Sequence, residues 1–174
     1  MRGPSDRHIG PTVVIGLGNP IMGDDGIGLE IMAHLREHWT FPPEVVFVDG
    51  GTWGMNLLPT IEDAGQVLFL DAVQAGKAPG TPVRLERDRI PRWLGHKLSP
   101  HQIDLKEVLA LAELRGTLPP LAVVVGIQPD RVEMEVGVSP VVARSIEAAA
   151  ELARATLEHW GHRALRECGE AVYA

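Results

Sequence analysis

Residues 15–28 read Ile-Gly-Leu-Gly-Asn-Pro-Ile-Met-Gly-Asp-Asp-Gly-Ile-Gly: an apolar run enters a glycine-rich turn, and a helical pattern follows it. A strand, a tight turn and a helix in this order form the opening unit of an α/β fold. The turn resembles a dinucleotide fingerprint but carries the wrong charge for one. In that arrangement a pyrophosphate rests on the helix N-terminus, held by backbone N–H groups and the helix dipole. Here Asp24 and Asp25 stand where the phosphate would sit, and Gly16 and Gly18 are followed by Ile21 where the third glycine belongs. The turn is built for a cation or a proton donor.

Further along, Thr12–Leu17 is a continuous β-branched run, as in a strand covered on both faces. Val45–Val48, ending in Asp49-Gly50-Gly51, and Val67–Leu70, ending in Asp71, look alike, and Leu121–Val125 is a fourth. Thr81–Leu85 is shorter and more polar, which suits an edge. Helical patterns lie between them. Ile27, Ile31, His34, Leu35 and His38 share one stripe, and Leu105, Val108, Leu109 and Ala112 share another. A weaker helix over 53–63 is expected to kink at Pro59. The last helix is signalled from an N-cap at Ser139, with Pro140 at N1, through Trp160 to Gly161. This alternation predicts a three-layer α/β/α sandwich around a mostly parallel five-stranded sheet. One domain spans 12–161, with 1–11 and 162–174 as terminal extensions.

Open α/β sheets place their sites outside the carboxyl ends of the strands. Those ends carry Asn19, Asp24 and Asp25 after the first strand, Asp49 to Thr52 after the second, and Asp71 after the third. Ser99-Pro100-His101-Gln102 has a capping-box pattern, which puts His101 in a first helical turn, where the dipole favours a neutral imidazole. A neutral imidazole is what a metal ligand or a general base needs. Each residue also has a plainer reading: Asp25 as a carboxylate complementing the helix dipole, Asp71 as a cap, His101 as a helix-start residue, Asp49 as a turn former. Taken together, two carboxylates and one imidazole from three loops can form a three-ligand site open to water or substrate.

Composition narrows the chemistry. A net charge of −7 argues against a nucleic-acid partner. The only cysteine, Cys168, rules out an intrachain disulfide and a CxxC metal site. No apolar stretch nears the ~20 residues of a membrane span, and no signal-peptide pattern opens the chain, so a soluble, cytoplasmic protein is expected. Ser99 and Ser139 both precede proline and look committed to capping, and neither Gly-x-Ser-x-Gly nor His-Glu-x-x-His occurs. A hydrolase built on this chain would use water as its nucleophile.

Four motifs in register carry a resemblance: Gly16 through Gly28, Asp49-Gly-Gly-Thr-Trp-Gly-Met55, Leu70-Asp-Ala72 and Lys97-Leu-Ser-Pro-His-Gln102. In order and spacing they resemble the nickel–iron hydrogenase maturation endopeptidases over about 12–160. The resemblance implies an α/β/α sandwich with a mixed sheet. It also implies a single cut that removes a C-terminal extension from the hydrogenase large-subunit precursor once nickel is in place. By position it puts the catalytic and metal-contacting groups on Asp25, Asp71 and His101, with Asp49, Gly50, Gly51 and Thr52 lining the groove for the extension. The nickel is carried by the substrate, with zinc or cadmium as surrogates in vitro, and the isolated protein is expected to be a monomer.

Three alternatives have features of their own. Gly-Leu-Gly-Asn-Pro also resembles the first turn of the peptidyl-tRNA hydrolases, although Asp24-Asp25-Gly26-Ile27-Gly28 follows it and the net charge suits tRNA poorly. Asp49 could serve a nucleotide-binding module as a ribose ligand. A non-catalytic, nickel-sensing chaperone would keep the partner and drop the chemistry.

Overall fold

A computed structural model describes residues 10–52, 54–90 and 101–167, with the backbone alone at 101–104 and 106. The strands are β1 (Thr12–Leu17), β2 (Trp39–Thr40), β3 (Val45–Gly51), β4 (Gln66–Ala72), β5 (Pro82–Glu86), β6 (Leu121–Ile127) and β7 (Leu165–Arg166). The helices are α1 (Ile27–His38), α2 (Leu58–Asp63), α3 (His101–Leu114), α4 (Pro140–Ala143) and α5 (Ile146–His159).

Five strands form one sheet in the order β3-β1-β4-β6-β5. Only β5 runs antiparallel, against β6. Side chains alternate across the sheet, as the period of two requires. Val13, Ile15, Val67, Phe69 and Val124 face a core completed by α2 and α3, and Val14, Leu68, Leu70, Val123 and Val125 face one completed by α1, α4 and α5. The architecture is therefore the three-layer α/β/α sandwich, with a mixed, mostly parallel sheet.

Sheet order explains where the elements depart from expectation. β1 is buried along its whole length because β3 and β4 flank it. β3 has the same β-branched composition but is an edge strand, so Val46 is exposed and Phe47 and Val48 are only half-buried. The more polar β5 takes the opposite edge, with Pro82, which has no N–H to offer a ladder, as its first residue. β3, β4 and β6 each run past their apolar segment, so Asp71 lies inside β4, paired with Gly126.

Two helices differ as well. The stretch before β4 is a 3₁₀ turn (Gly54–Leu57) followed by α2, and Pro59 sits in the first turn of α2, where its missing N–H leaves no intrahelical bond unmade. The single helix expected from Ser139 to Trp160 breaks at Arg144–Ser145 into α4 and α5, with Ser145 at ψ 0°. The two pieces answer to different anchors. Ala149, Ala153 and Leu157 hold α5 in the core, whereas α4 is fixed through Ser139 to residues far away in the sequence. Beyond Gly161, β7 pairs antiparallel with β2, and the Arg154 guanidinium lies 4.9 Å over the Trp39 ring.

Candidate catalytic rim of the sheet

Because β3, β1, β4 and β6 are parallel, their carboxyl ends share one rim. Asp49, Gly16, Leu70 and Val125 stand in one row across the sheet, and Asp71 and Gly126 begin the next. A Cβ on Gly126 would sit 1.9 Å from the Asp71 carbonyl oxygen, so no side chain fits beside Asp71 at that position.

The glycine-rich turn after β1 packs tightly against these ends. Gly18 has φ +115°, and a Cβ there would lie 1.8 Å from the Asp25 carbonyl oxygen. Gly28, in the first turn of α1, rests on the Leu70 and Leu17 carbonyl oxygens, which a Cβ would meet at 2.1 and 2.4 Å. These glycines let the turn and the helix touch β1 and β4 directly. Asp25 lies in a 3₁₀ turn (Gly23–Gly26) ahead of α1, not in its first turn, where Glu30 is the acid. Asp25 is buried, and its Oδ2 accepts the Asn19 N–H at 2.9 Å.

Asp24 has a different job from its neighbour. Its fully buried carboxylate accepts N–H bonds from Asp130 (2.9 Å), Arg131 (3.0 Å) and Ser139 (2.6 Å), and an O–H bond from Ser139 (2.9 Å). Burial alone would raise its pKa, but these donors prevail and hold it below the ordinary aspartate value. Ser139 occupies the N-cap position of α4, yet its hydroxyl makes no capping bond, because it is turned to Asp24. Asp24 thus clamps the loop after β6 onto the turn that carries Asp25.

Asp71 is buried at the end of β4, and its Oδ1 accepts the Ala72 N–H at 2.8 Å. The loop that follows is organised by Gln128, a buried side chain that sequence reasoning missed. Its Oε1 accepts from the N–H of Ala75 (2.8 Å) and of Lys77 (3.2 Å), and its Nε2 donates to Gln74 Oε1. Only its place just past an apolar run signalled it. Beside this loop an open groove of about 900 Å³ runs along β5, with Gln74, Lys77, Arg84 and Gln128 in its walls. A second cavity, about 620 Å³ and lined by Ile90, Leu109, Leu118 and Leu121, lies at the start of β6, the far end of the sheet from the two aspartates.

His101 opens α3. Past the other end of that helix, Thr117 Oγ1 (2.9 Å) and Arg115 (3.1 Å) bond to Glu62 in α2, near the start of β4. Fourteen residues of helix separate the two ends, about 21 Å at 1.5 Å per residue, so the backbone at His101 begins the helix well away from Glu62. The His101 imidazole, the expected cap at Ser99 and Pro100, and Trp53 lie outside the described atoms. At the end of the edge strand Asp49 is exposed and Gly50 buried, and Thr52, just past it, is exposed, while Gly51, at φ +39°, follows a shift of register between Gly16 and Leu17. The structure thus brings Asp25, Asp71 and Asp49–Thr52 to one rim. Among the described residues no helix is long and apolar enough to cross a membrane.

Comparison with known proteins gives a consistent result. A family model described as hydrogenase maturation protease matches residues 29–156. The chain is 36% identical over 152 residues to the hydrogenase expression/formation protein HoxM of Cupriavidus necator, a match covering 86% of this chain and 75% of that protein. It is 34% identical over 154 residues to the hydrogenase 2 maturation protease of Escherichia coli, covering 88% of this chain and 94% of the relative. Among solved structures, the hydrogenase maturating endopeptidase HybD from E. coli superposes with a TM-score of 0.85 at 33% identity, covering 90% of this chain and 98% of that one.

Proposed function

Since the chain belongs to the hydrogenase maturation protease family, a family of endopeptidases, we propose that it makes one cut in the precursor of a nickel–iron hydrogenase large subunit. The cut releases a C-terminal extension after nickel has been inserted. Nickel is part of this substrate. Asp25, Asp71 and His101 are its contacts on the protease side, a set of two oxygen donors and one nitrogen donor that suits a borderline divalent ion, with zinc or cadmium able to stand in for it in vitro. The tRNA-hydrolase, nucleotide-module and chaperone alternatives have no support from this family membership.

The observation that carries the reading is the placement of two buried carboxylates, Asp25 in the turn that follows β1 and Asp71 near the end of the adjacent parallel strand β4, on one rim. Like charges in one place favour a cation. A precursor that brings nickel supplies it, and one without nickel docks against repulsion. The metal contact therefore positions the scissile bond, and selectivity comes from the bridge between the two proteins. Asp25 then assists a water molecule. Water oxygen bonds to the scissile carbonyl carbon, Asp25 takes its proton, and the C–N bond breaks as that proton passes to the departing amine. The edge at Asp49–Thr52, where Gly50 and Gly51 keep the backbone bare of side chains, receives the extension. A monomer acting in the cytoplasm fits this role.

The test is incubation with nickel-loaded precursor, read by mass spectrometry. One defined cut by the wild type and none by Asp25→Asn at saturating substrate supports the reading; wild-type cleavage rates from Asp25→Asn would remove Asp25 from the chemistry.

A further inference from the structure

After β6 the chain does not pass straight into α4. Residues 128–139 first run beside the turn that carries Asp25. Glu135 N–H donates to Ile21 O (3.1 Å), Gly23 N–H donates to Glu135 O (2.8 Å), and Asp24 N–H donates to Arg131 O (3.2 Å). The Asp24 carboxylate grips both ends of this segment, at Asp130–Arg131 and at Ser139. A loop held at so many points has a defined shape.

Its sequence, Arg131-Val-Glu-Met-Glu-Val136, alternates charged and apolar residues. The charges gather on Arg131, which pairs with Glu133 (3.6 Å) and Glu135 (3.2 Å). The apolar members face solvent: Met134 is 84% exposed, Val136 83% and Val132 43%, and Ile21, bonded to the same loop, is 52% exposed. None of the four adds to either core. Exposed apolar side chains clustered on a fixed backbone mark a contact surface, and methionine is enriched in such surfaces.

We propose that Ile21, Val132, Met134 and Val136 form a docking strip for the body of the hydrogenase large-subunit precursor, away from the peptide that is cut. The proposal rests on the function proposed above and names how the client is held. Position selects the occupant. Asp24 follows the strip's own turn and Asp25 comes next, so a client cut at Asp25 must cover this loop. Charge narrows it further: Asp130, Glu133 and Glu135 against the single Arg131 leave the strip acid-bordered, which suits an apolar patch ringed by lysine or arginine.

The experiment measures cleavage of nickel-loaded, full-length precursor by the wild type, by the double variant Met134→Asp/Val136→Asp and by Met134→Leu. Thermal melting checks the fold, and sedimentation gives the oligomeric state. Expected is a KM raised about tenfold or more in the double variant, with kcat at saturation and the melting temperature unchanged, and wild-type KM in Met134→Leu. A wild-type KM in the double variant, with the wild type active, overturns the strip and leaves the proposed function standing. Loss of a wild-type dimer in the double variant, with KM unchanged, also overturns it and makes the strip a contact between copies. No cut by the wild type overturns the proposed function itself, and the strip with it.

Discussion

Ser139 reaches across 115 positions of chain to donate two hydrogen bonds to Asp24, one from its N–H at 2.6 Å and one from its hydroxyl at 2.9 Å. With Asp130 and Arg131 also donating, the carboxylate is ringed by donors and sealed from water. One residue on, Asp25 carries the proposed chemistry. Of these adjacent aspartates, Asp24 holds the scaffold, and Asp25 is the one to which the proposed function assigns the chemistry.

Asp24→Asn puts an amide NH₂ among N–H donors. The protein is expected to lose about 3 kcal/mol of stability, measured by urea unfolding at pH 7. Because the folded-state pKa of Asp24 is lowered, its contribution is present above the unfolded value of 3.8 and is lost as pH falls through the folded one. The wild type therefore loses stability on acidification in this range, and the variant loses less. Ser139→Ala, which removes only the hydroxyl, is expected to cost about 1 kcal/mol.

At Gly18 both φ and space demand glycine. Gly18→Ala is expected to cost about 3 kcal/mol and to displace Asp25 with it, so precursor cleavage should drop even under conditions where the variant is folded. Circular dichroism with a cleavage assay on the same sample separates the two effects.

His34 and His38, both half-buried on α1, stack at 4.1 Å. Burial first, and the His38 ring second, hold His34 below the usual histidine pKa of 6.5, against the pull of Glu147 and Glu37. The folded state therefore favours the neutral ring. Stability from this site is complete above pH 6.5 and declines as pH falls through 6.5 toward the lower folded value. Ring proton shifts followed by NMR should titrate below 6.5 for His34, and His34→Gln should flatten the stability curve in that window.

If nickel arrives with the precursor, metal-stripped protease should cleave nickel-loaded precursor at the untreated rate, and precursor lacking nickel should stay intact. Chelator treatment of each partner separately, followed by mass spectrometry, checks both halves.

How far the sequence foretells the molecule depends on the range of the contacts involved. β1 was legible because two-sided cover leaves a continuous apolar run. The half-exposed state of β3 was not, because edge position is a property of strand order, and Val45–Val48 says nothing about its neighbours. The strand-end rule brought Asp25 and Asp71 to one rim from sequence alone. It could not separate Asp24 from Asp25, since the donors to Asp24 lie 106 to 115 positions away. For the same reason Ser139 read as a local cap: position gave its place, and a distant carboxylate took its hydroxyl.

Gly18 and Gly28 leave the turn and helix α1 in contact with strand backbone, with no side chain between them to act as padding. Padding of that kind is what lets a loop breathe and mould itself to a poorly seated guest. Here Asp25 is set at a fixed height above the sheet, like the anvil of a gauge; under the function proposed above, a guest either reaches it or stays uncut. Quality control of this kind rests on stiffness, and any change that softened the turn would trade fidelity for tolerance.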